Sequence, residues 1–227
     1  MHAILRRLDP TLSNAIVRLW GSRIVHHGIQ RSGTNYLNQC LWRCALPPLN
    51  SFDGRRNSPR HKHFRWYSEK SLIPEFLTAQ YGNSLNVSSI DELNSVAGYP
   101  STAVHLVVKK EKLSWLASIV NWGLSCHWFS SKEEALANLN VLENDYRGYY
   151  QFWSQMSRAS PTQIRVLKLE DLQENFDFLS QALDQLGLTF DCGEFKGVLS
   201  EVPMSPRGRA KIITKQDVEL ILGRKSD

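Results

Sequence analysis

Residues 23–36, RIVHHGIQRSGTNY, decide how the rest of this 227-residue chain reads. RIVHH suits a short strand, and Gly28 to Gly33 then form a tight polar loop. From Thr34 onward Tyr36, Leu37, Cys40, Leu41 and Cys44 recur at helical spacing until Pro47 and Pro48 end the run. Strand, glycine loop and helix in that order make an anion site, because unpaired backbone N–H groups and the positive helix end converge on one point. Arg31 adds a planar cation whose fork matches two oxygens of a phosphate or sulfate.

The same alternation continues along the chain. Residues 103–109 (AVHLVVK) are apolar and β-branched, as expected of a central strand covered on both faces. Leu113, Trp115, Leu116, Ile119 and Val120 predict a helix after it, followed by a long helix from Lys132 to about Ser157 capped by Ser131 and Glu134. Residues 164–169 (IRVLKL) read as a third strand. A helix over Asn175–Leu186 follows, burying Phe178, Leu179, Ala182, Leu183 and Leu186 and stopped by Gly187. Strands alternating with helices predict an α/β fold of three layers, α/β/α, around a mainly parallel sheet. One domain over residues 1–227, with its core at about 22–222, accommodates all of it. Short helices are expected over Ser71–Tyr81 and Ser89–Ala97, the second with Ser89 and Glu92 at capping-box spacing. Residues 47–65 (PPLNSFDGRRNSPRHKHFR) predict a long surface loop and a candidate substrate region, and Pro203–Lys211 another loop before a helix near Asp217–Leu222.

Composition narrows the function. With 42% apolar and 22% charged residues the chain can bury a full core, and its net charge of +5 favours anionic ligands. Its four cysteines include no C-x-x-C pair, which argues against a disulfide scaffold or a thiolate zinc site and for a reducing, cytoplasmic setting. No apolar run approaches the roughly 18 residues that cross a bilayer. Asp9, Pro10 and Asn14 interrupt what would be the apolar part of a secretory signal, so the N-terminal stretch reads as a short amphipathic helix. The basic residues are spread out and no base-stacking module is recognisable, which disfavours nucleic acid as a partner.

Gly28 and Gly33 have P-loop spacing, but a nucleoside-triphosphate loop follows its last Gly with Lys and then Ser or Thr; here Thr34 and Asn35 stand instead. The loop suits an anion held without a metal. Arg31-Ser32-Gly33-Thr34-Asn35-Tyr36 resembles the basic-Ser-Gly-Thr-x-aromatic element of sulfotransferases that use 3'-phosphoadenosine 5'-phosphosulfate (PAPS), a family with a P-loop-like fold. A second stretch resembles the same family in its bacterial form: the strand HLVVK leads to Lys110, and KEKLSWLAS places Ser118 eight positions later with Ser114-Trp115 between them.

The resemblance implies that Arg31, Ser32, Gly33, Thr34 and Asn35 bind the 5'-phosphosulfate, with Tyr36 at the position that packs on adenine. Lys110 and Ser118 would meet on the 3'-phosphate, and Arg207-Gly208-Arg209 resembles the segment that closes over it. RVLKLEDL and QALDQLGL look like the family's later strand, acidic pair and helix end; Glu170 and Asp171 read as helix-cap or sheet-end residues rather than magnesium ligands. Arg31 departs from the usual Lys, and an arginine stabilises a leaving phosphate electrostatically without giving up a proton.

Sulfuryl transfer to a hydroxyl or amine needs a base, and His63 in HKHFRW resembles the family's Lys-His element; His61 and His27 are the alternatives. No metal is expected. The acceptor implied is a sugar, lipid or other small alcohol. Two rival functions stand beside this one: a kinase using ATP and magnesium, and a non-catalytic anion- or glycan-binding domain on the same fold.

Overall fold

The computed structural model describes residues 10–67, 85–193, 195–197 and 212–223. The expected helix over Ser71–Tyr81 and the loop Pro203–Lys211 lie outside the described residues. Among the described residues no helix is long and apolar enough to cross a membrane.

The fold is mixed α/β, with about half of the described residues helical and a small parallel sheet at the centre. Strands β1 (Ile24–His27), β2 (Val104–Lys109) and β3 (Ile164–Lys168) lie side by side in that order, Ile24 opposite Val104 and His105 opposite Ile164. Side chains alternate across the pleat. Val25 and Val107 join a core with Ile29, Trp115, Ile119 and Trp153, while Ile24, Leu106 and Val108 join another with Leu37, Leu41 and Leu183. A sheet buried on both sides explains why β2 reads as a nearly continuous apolar run.

Helices α1 (Pro10–Leu19) and α2 (Thr34–Arg43) flank β1 in sequence. Helix α3 (Ile90–Ala97) begins where the Ser89 hydroxyl accepts the Glu92 N–H at 3.2 Å; the reciprocal bond is displaced by one residue, Glu92 accepting from the Ser88 N–H at 2.7 Å. After β2 come α4 (Lys112–Ser125), α5 (Lys132–Ala137) and α6 (Leu139–Ala159). The long helix expected over 132–157 is thus two helices. Asn138 breaks it by donating its side-chain amide to the Glu134 carbonyl at 2.9 Å, a local alternative to the helical ladder. Beyond β3 lie α7 (Leu169–Glu174), α8 (Asp177–Gln185) and α9 (Lys215–Gly223). Leu179, Ala182, Leu183 and Leu186 are buried as expected, but Phe178 falls off the edge of that stripe and is 44% exposed.

Two further expectations are corrected. Cys44, just after α2, forms a disulfide with Cys192, a residue 148 positions away, so the missing C-x-x-C pair was no guide to cysteine pairing. The segment 47–65 is not wholly a surface loop: only its middle is exposed, and His61, His63, Phe64 and Arg65 are buried against the sheet and α6.

Candidate functional site

The loop Gly28–Gly33 leaves β1 at the carboxyl edge of the sheet, where ligands of parallel α/β proteins gather. Its shape depends on both glycines. Gly28 lies against β2 so closely that a Cβ would meet the Val108 carbonyl oxygen at 2.9 Å, and Gly33 adopts φ 99° with Leu169 where a side chain would go. Arg31 also takes a left-handed conformation, φ 70°. Helix α2 opens from Gly33 with no side-chain cap and no acidic residue in its first turn, so its leading N–H groups retain their positive end. Ser32 is fully buried in the loop, and its hydroxyl has no well-formed hydrogen bond among the described residues. A buried hydroxyl, within reach of the Tyr150 phenol, beside an uncapped helix start is a donor set a phosphate or sulfate group fits.

The second segment meets the first. The Trp115 indole donates to the Gln30 carbonyl at 2.7 Å, pinning α4 to the loop. Arg31 Nε donates to Ser118 Oγ at 3.4 Å, and its guanidinium lies 5.0 Å from the Trp122 ring centre. Lys110 sits at the carboxyl end of β2, its carbonyl accepting from the Tyr146 hydroxyl at 2.6 Å, whereas Lys109 extends over the rings of Tyr146 and Tyr150. The N-terminus of α4 is already satisfied: the Glu111 carboxylate accepts from Leu113 and Ser114, each at 2.9 Å. Any anion there is left to side chains such as Ser118 and Lys110. The Glu170 carboxylate accepts from the Glu111 N–H at 3.1 Å, tying the end of β2 to α7.

A third segment docks on the same loop. Gly28 donates its N–H to the Lys62 carbonyl at 3.1 Å, and its own carbonyl lies 2.6 Å from His63 Nδ1. A carbonyl only accepts, so Nδ1 bears the proton and Nε2 is the basic nitrogen. Burial, then the charge of Lys62, hold the His63 pKa well below its ordinary 6.5. The imidazole is therefore neutral at pH 7. The Lys62 ammonium donates to Asn35 Oδ1 at 2.6 Å, bringing a second cation to the start of α2. His61 Nδ1 accepts the His63 N–H at 3.2 Å, and burial with the charges of Lys62, Arg56 and Arg65 lowers its pKa to about 4. His27 lies in the core, tilted against Trp153 and stacked on His105, with Nε2 3.0 Å from His105 Nδ1. His63 is bonded to the anion loop through the Gly28 carbonyl.

Arg31, Ser32, Gly33, Thr34, Asn35, Ser118 and His63 are thus gathered around one loop. Tyr36 is not turned toward its mouth: the ring is buried in the core and its hydroxyl donates to the Gly197 carbonyl at 2.6 Å. Arg207 and Gly208 lie outside the described residues. Sequence reasoning passed over Lys62 as a site residue; its one signal was adjacency to His63, since its meeting with Asn35 depends on tertiary contacts. No protein-family profile and no curated protein sequence matches the chain.

Proposed function

We propose that this chain is a sulfotransferase that moves a sulfuryl group from PAPS to a hydroxyl or amine acceptor, on a three-layer, P-loop-like α/β/α fold. The observation that carries the proposal is the contact of Arg31 with Ser118, which joins the two segments expected to grip opposite ends of one nucleotide. The buried Ser32 hydroxyl, the uncapped start of α2 and the ammonium of Lys62 support a sulfate or phosphate at the loop.

In this reading the first-turn N–H groups of α2, with Ser32, Thr34 and Asn35, hold the 5'-phosphosulfate, and Lys110 and Ser118 hold the 3'-phosphate. His63 Nε2 takes the proton of the acceptor hydroxyl. As the new O–S bond forms, the bond from sulfur to the bridging oxygen breaks, and its electron pair leaves with the 5'-phosphate. Arg31 stabilises that charge without losing its proton, and Lys62 adds an ammonium beside the loop.

Calorimetric titration with 3'-phosphoadenosine 5'-phosphate (PAP), compared with ATP plus magnesium, tests the assignment. Binding of PAP without metal, weakened in both Arg31→Ala and Lys110→Ala, is the expected result. Preference for ATP with magnesium, or PAP binding indifferent to both substitutions, overturns it in favour of the kinase or the plain anion-binding domain.

A further inference from the structure

We propose that Trp122 is a positioning residue for Arg31: with Ser118 it makes α4 the element that aims the guanidinium at the leaving phosphate. The inference rests on the sulfuryl-transfer reading and names a residue that acts in it through another.

One face of α4 looks onto the anion loop. Trp115, Ser118 and Trp122 follow at intervals of three and four residues, the spacing that lines side chains along a single side of a helix. Each meets the loop in turn. Trp115 is fully buried and donates its indole N–H to the Gln30 carbonyl at 2.7 Å. Ser118 Oγ accepts from Arg31 Nε at 3.4 Å, and the Trp122 ring centre lies 5.0 Å from Arg31 Cζ. Two contacts of this face therefore fall on the same guanidinium.

The arginine has freedom to lose. It stands exposed in the loop with a left-handed backbone, φ 70°, and a long side chain must be ordered before it can act on a ligand. A ring facing its Cζ and a hydroxyl at its Nε supply that order in advance, so less remains to be lost when a phosphate binds. A phosphate is met at the Nη edge, a part of the group that neither contact uses. Nor does accepting from Nε use up the Ser118 hydroxyl, whose own proton is left for the 3'-phosphate.

The ring that does the aiming is itself fixed. Trp122 packs against the core that contains Trp115 and Ile119, and its carbonyl accepts from the Ser125 hydroxyl at 2.7 Å. Its neighbour Asn121 donates to the Ile213 carbonyl at 2.6 Å and accepts from the Ile213 N–H at 3.0 Å, tying that turn of α4 to the residues before α9. The pair also gives a reason for arginine at position 31. A planar guanidinium offers a face to a ring and an Nε–H to a hydroxyl at once, which a lysine ammonium cannot do.

PAP is the leaving group of the proposed reaction, so its binding reads the grip of the arginine without any acceptor. Calorimetry on the full chain compares wild type, Trp122→Leu, Trp122→Phe, Arg31→Ala and Arg31→Ala/Trp122→Leu. Trp122→Leu is expected to weaken PAP binding about three- to fivefold, while Trp122→Phe, which keeps a ring, stays close to wild type. In the Arg31→Ala background Trp122→Leu is expected to change nothing further, because the side chain it positions is gone. A second reading needs no ligand: the Arg31 Nε–H proton resonance, assigned by its loss in Arg31→Ala, is expected upfield of its free-arginine position. Wild-type affinity in Trp122→Leu, an equal loss with and without Arg31, or an unshifted Nε–H resonance overturns the positioning role alone. Failure of wild type to bind PAP sinks the sulfotransferase reading, and this role with it.

Discussion

Gly28 shows how little latitude the anion loop has. A Cβ there would come within 2.5 Å of Ser32 Oγ, 2.7 Å of Thr34 Cγ2 and 2.9 Å of the Val108 carbonyl oxygen. The last belongs to the central strand and cannot yield, so Gly28→Ala must shift the loop. Overpacking of this kind costs about 1–3 kcal/mol, and a lower midpoint in urea together with loss of PAP binding is the expected pair of outcomes. Arg31 bears on turnover: removing a preorganised donor to developing charge lowers rates by about two to three orders of magnitude, the effect expected on kcat for Arg31→Ala. His63 supplies the pH dependence. Its neutral form is the working base, and its pKa lies below 6.5, so kcat/KM is expected to stay level from pH 8 down past the ordinary histidine range. An acid limb centred at 6.5 or above assigns the base elsewhere.

At the scale of elements, two segments are drawn onto one loop by bonds of different legibility. Helix α4 is held through Trp115, and the stretch 61–67 is anchored to α6 by a buried pair. Arg65 meets the Asp145 carboxylate at 2.6 and 3.2 Å and donates to the His63 carbonyl at 3.0 Å, while the Tyr67 hydroxyl donates to the same carboxylate at 2.5 Å. Both charges are fully buried. Asp145→Ala strands the guanidinium in the core and is expected to cost about 3–5 kcal/mol in urea unfolding, while Arg65→Met/Asp145→Leu costs distinctly less because no charge is left behind. A single variant no worse than the double would show the pair to be solvated. The strand–loop–helix units were readable because their signals are local: apolar runs, glycines and caps all act within a few residues. Lys62 against Asn35, Arg65 against Asp145 and Cys44 with Cys192 were not, since each partner is chosen by the fold and carries no mark of the other in its neighbours. Tyr36 was open for a related reason: helical spacing gives an aromatic residue a face, but not whether that face meets ligand or core.

For the molecule as a whole, five histidines buried among the described residues set a limit on the acid side. Burial lowers the pKa of His26 and His105 to about 3 and, reinforced by nearby cations, that of His61 to about 4; His27 and His63 are also pushed well down. Geometry explains the resistance. His26 Nε2 and His27 Nδ1 are buried with no acceptor among the described residues, so a proton added to either would have nothing to bond. His27 and His105 face each other across a single hydrogen bond of 3.0 Å, which leaves room for one proton between them. In the unfolded chain each imidazole titrates near 6.5, so below that pH the unfolded state binds protons that the folded state refuses. Stability is therefore full above about pH 6.5 and is lost as the pH falls toward the folded values, by up to about 1.4 kcal/mol per pH unit for each histidine. Against a typical total of about 5–15 kcal/mol, five such groups exhaust the fold within a few pH units. Acid titration followed by tryptophan fluorescence is expected to show cooperative unfolding between about pH 4 and 5.5, with several protons taken up. His26→Gln/His105→Gln shifts that midpoint to lower pH if the variant folds at pH 8; proton uptake in the wild type, measured by calorimetry in buffers of different ionisation enthalpy, gives a second reading. A chain that stays folded at pH 3, or unfolds there without binding protons, would show that the imidazoles are accessible and that the core is looser than its burial implies.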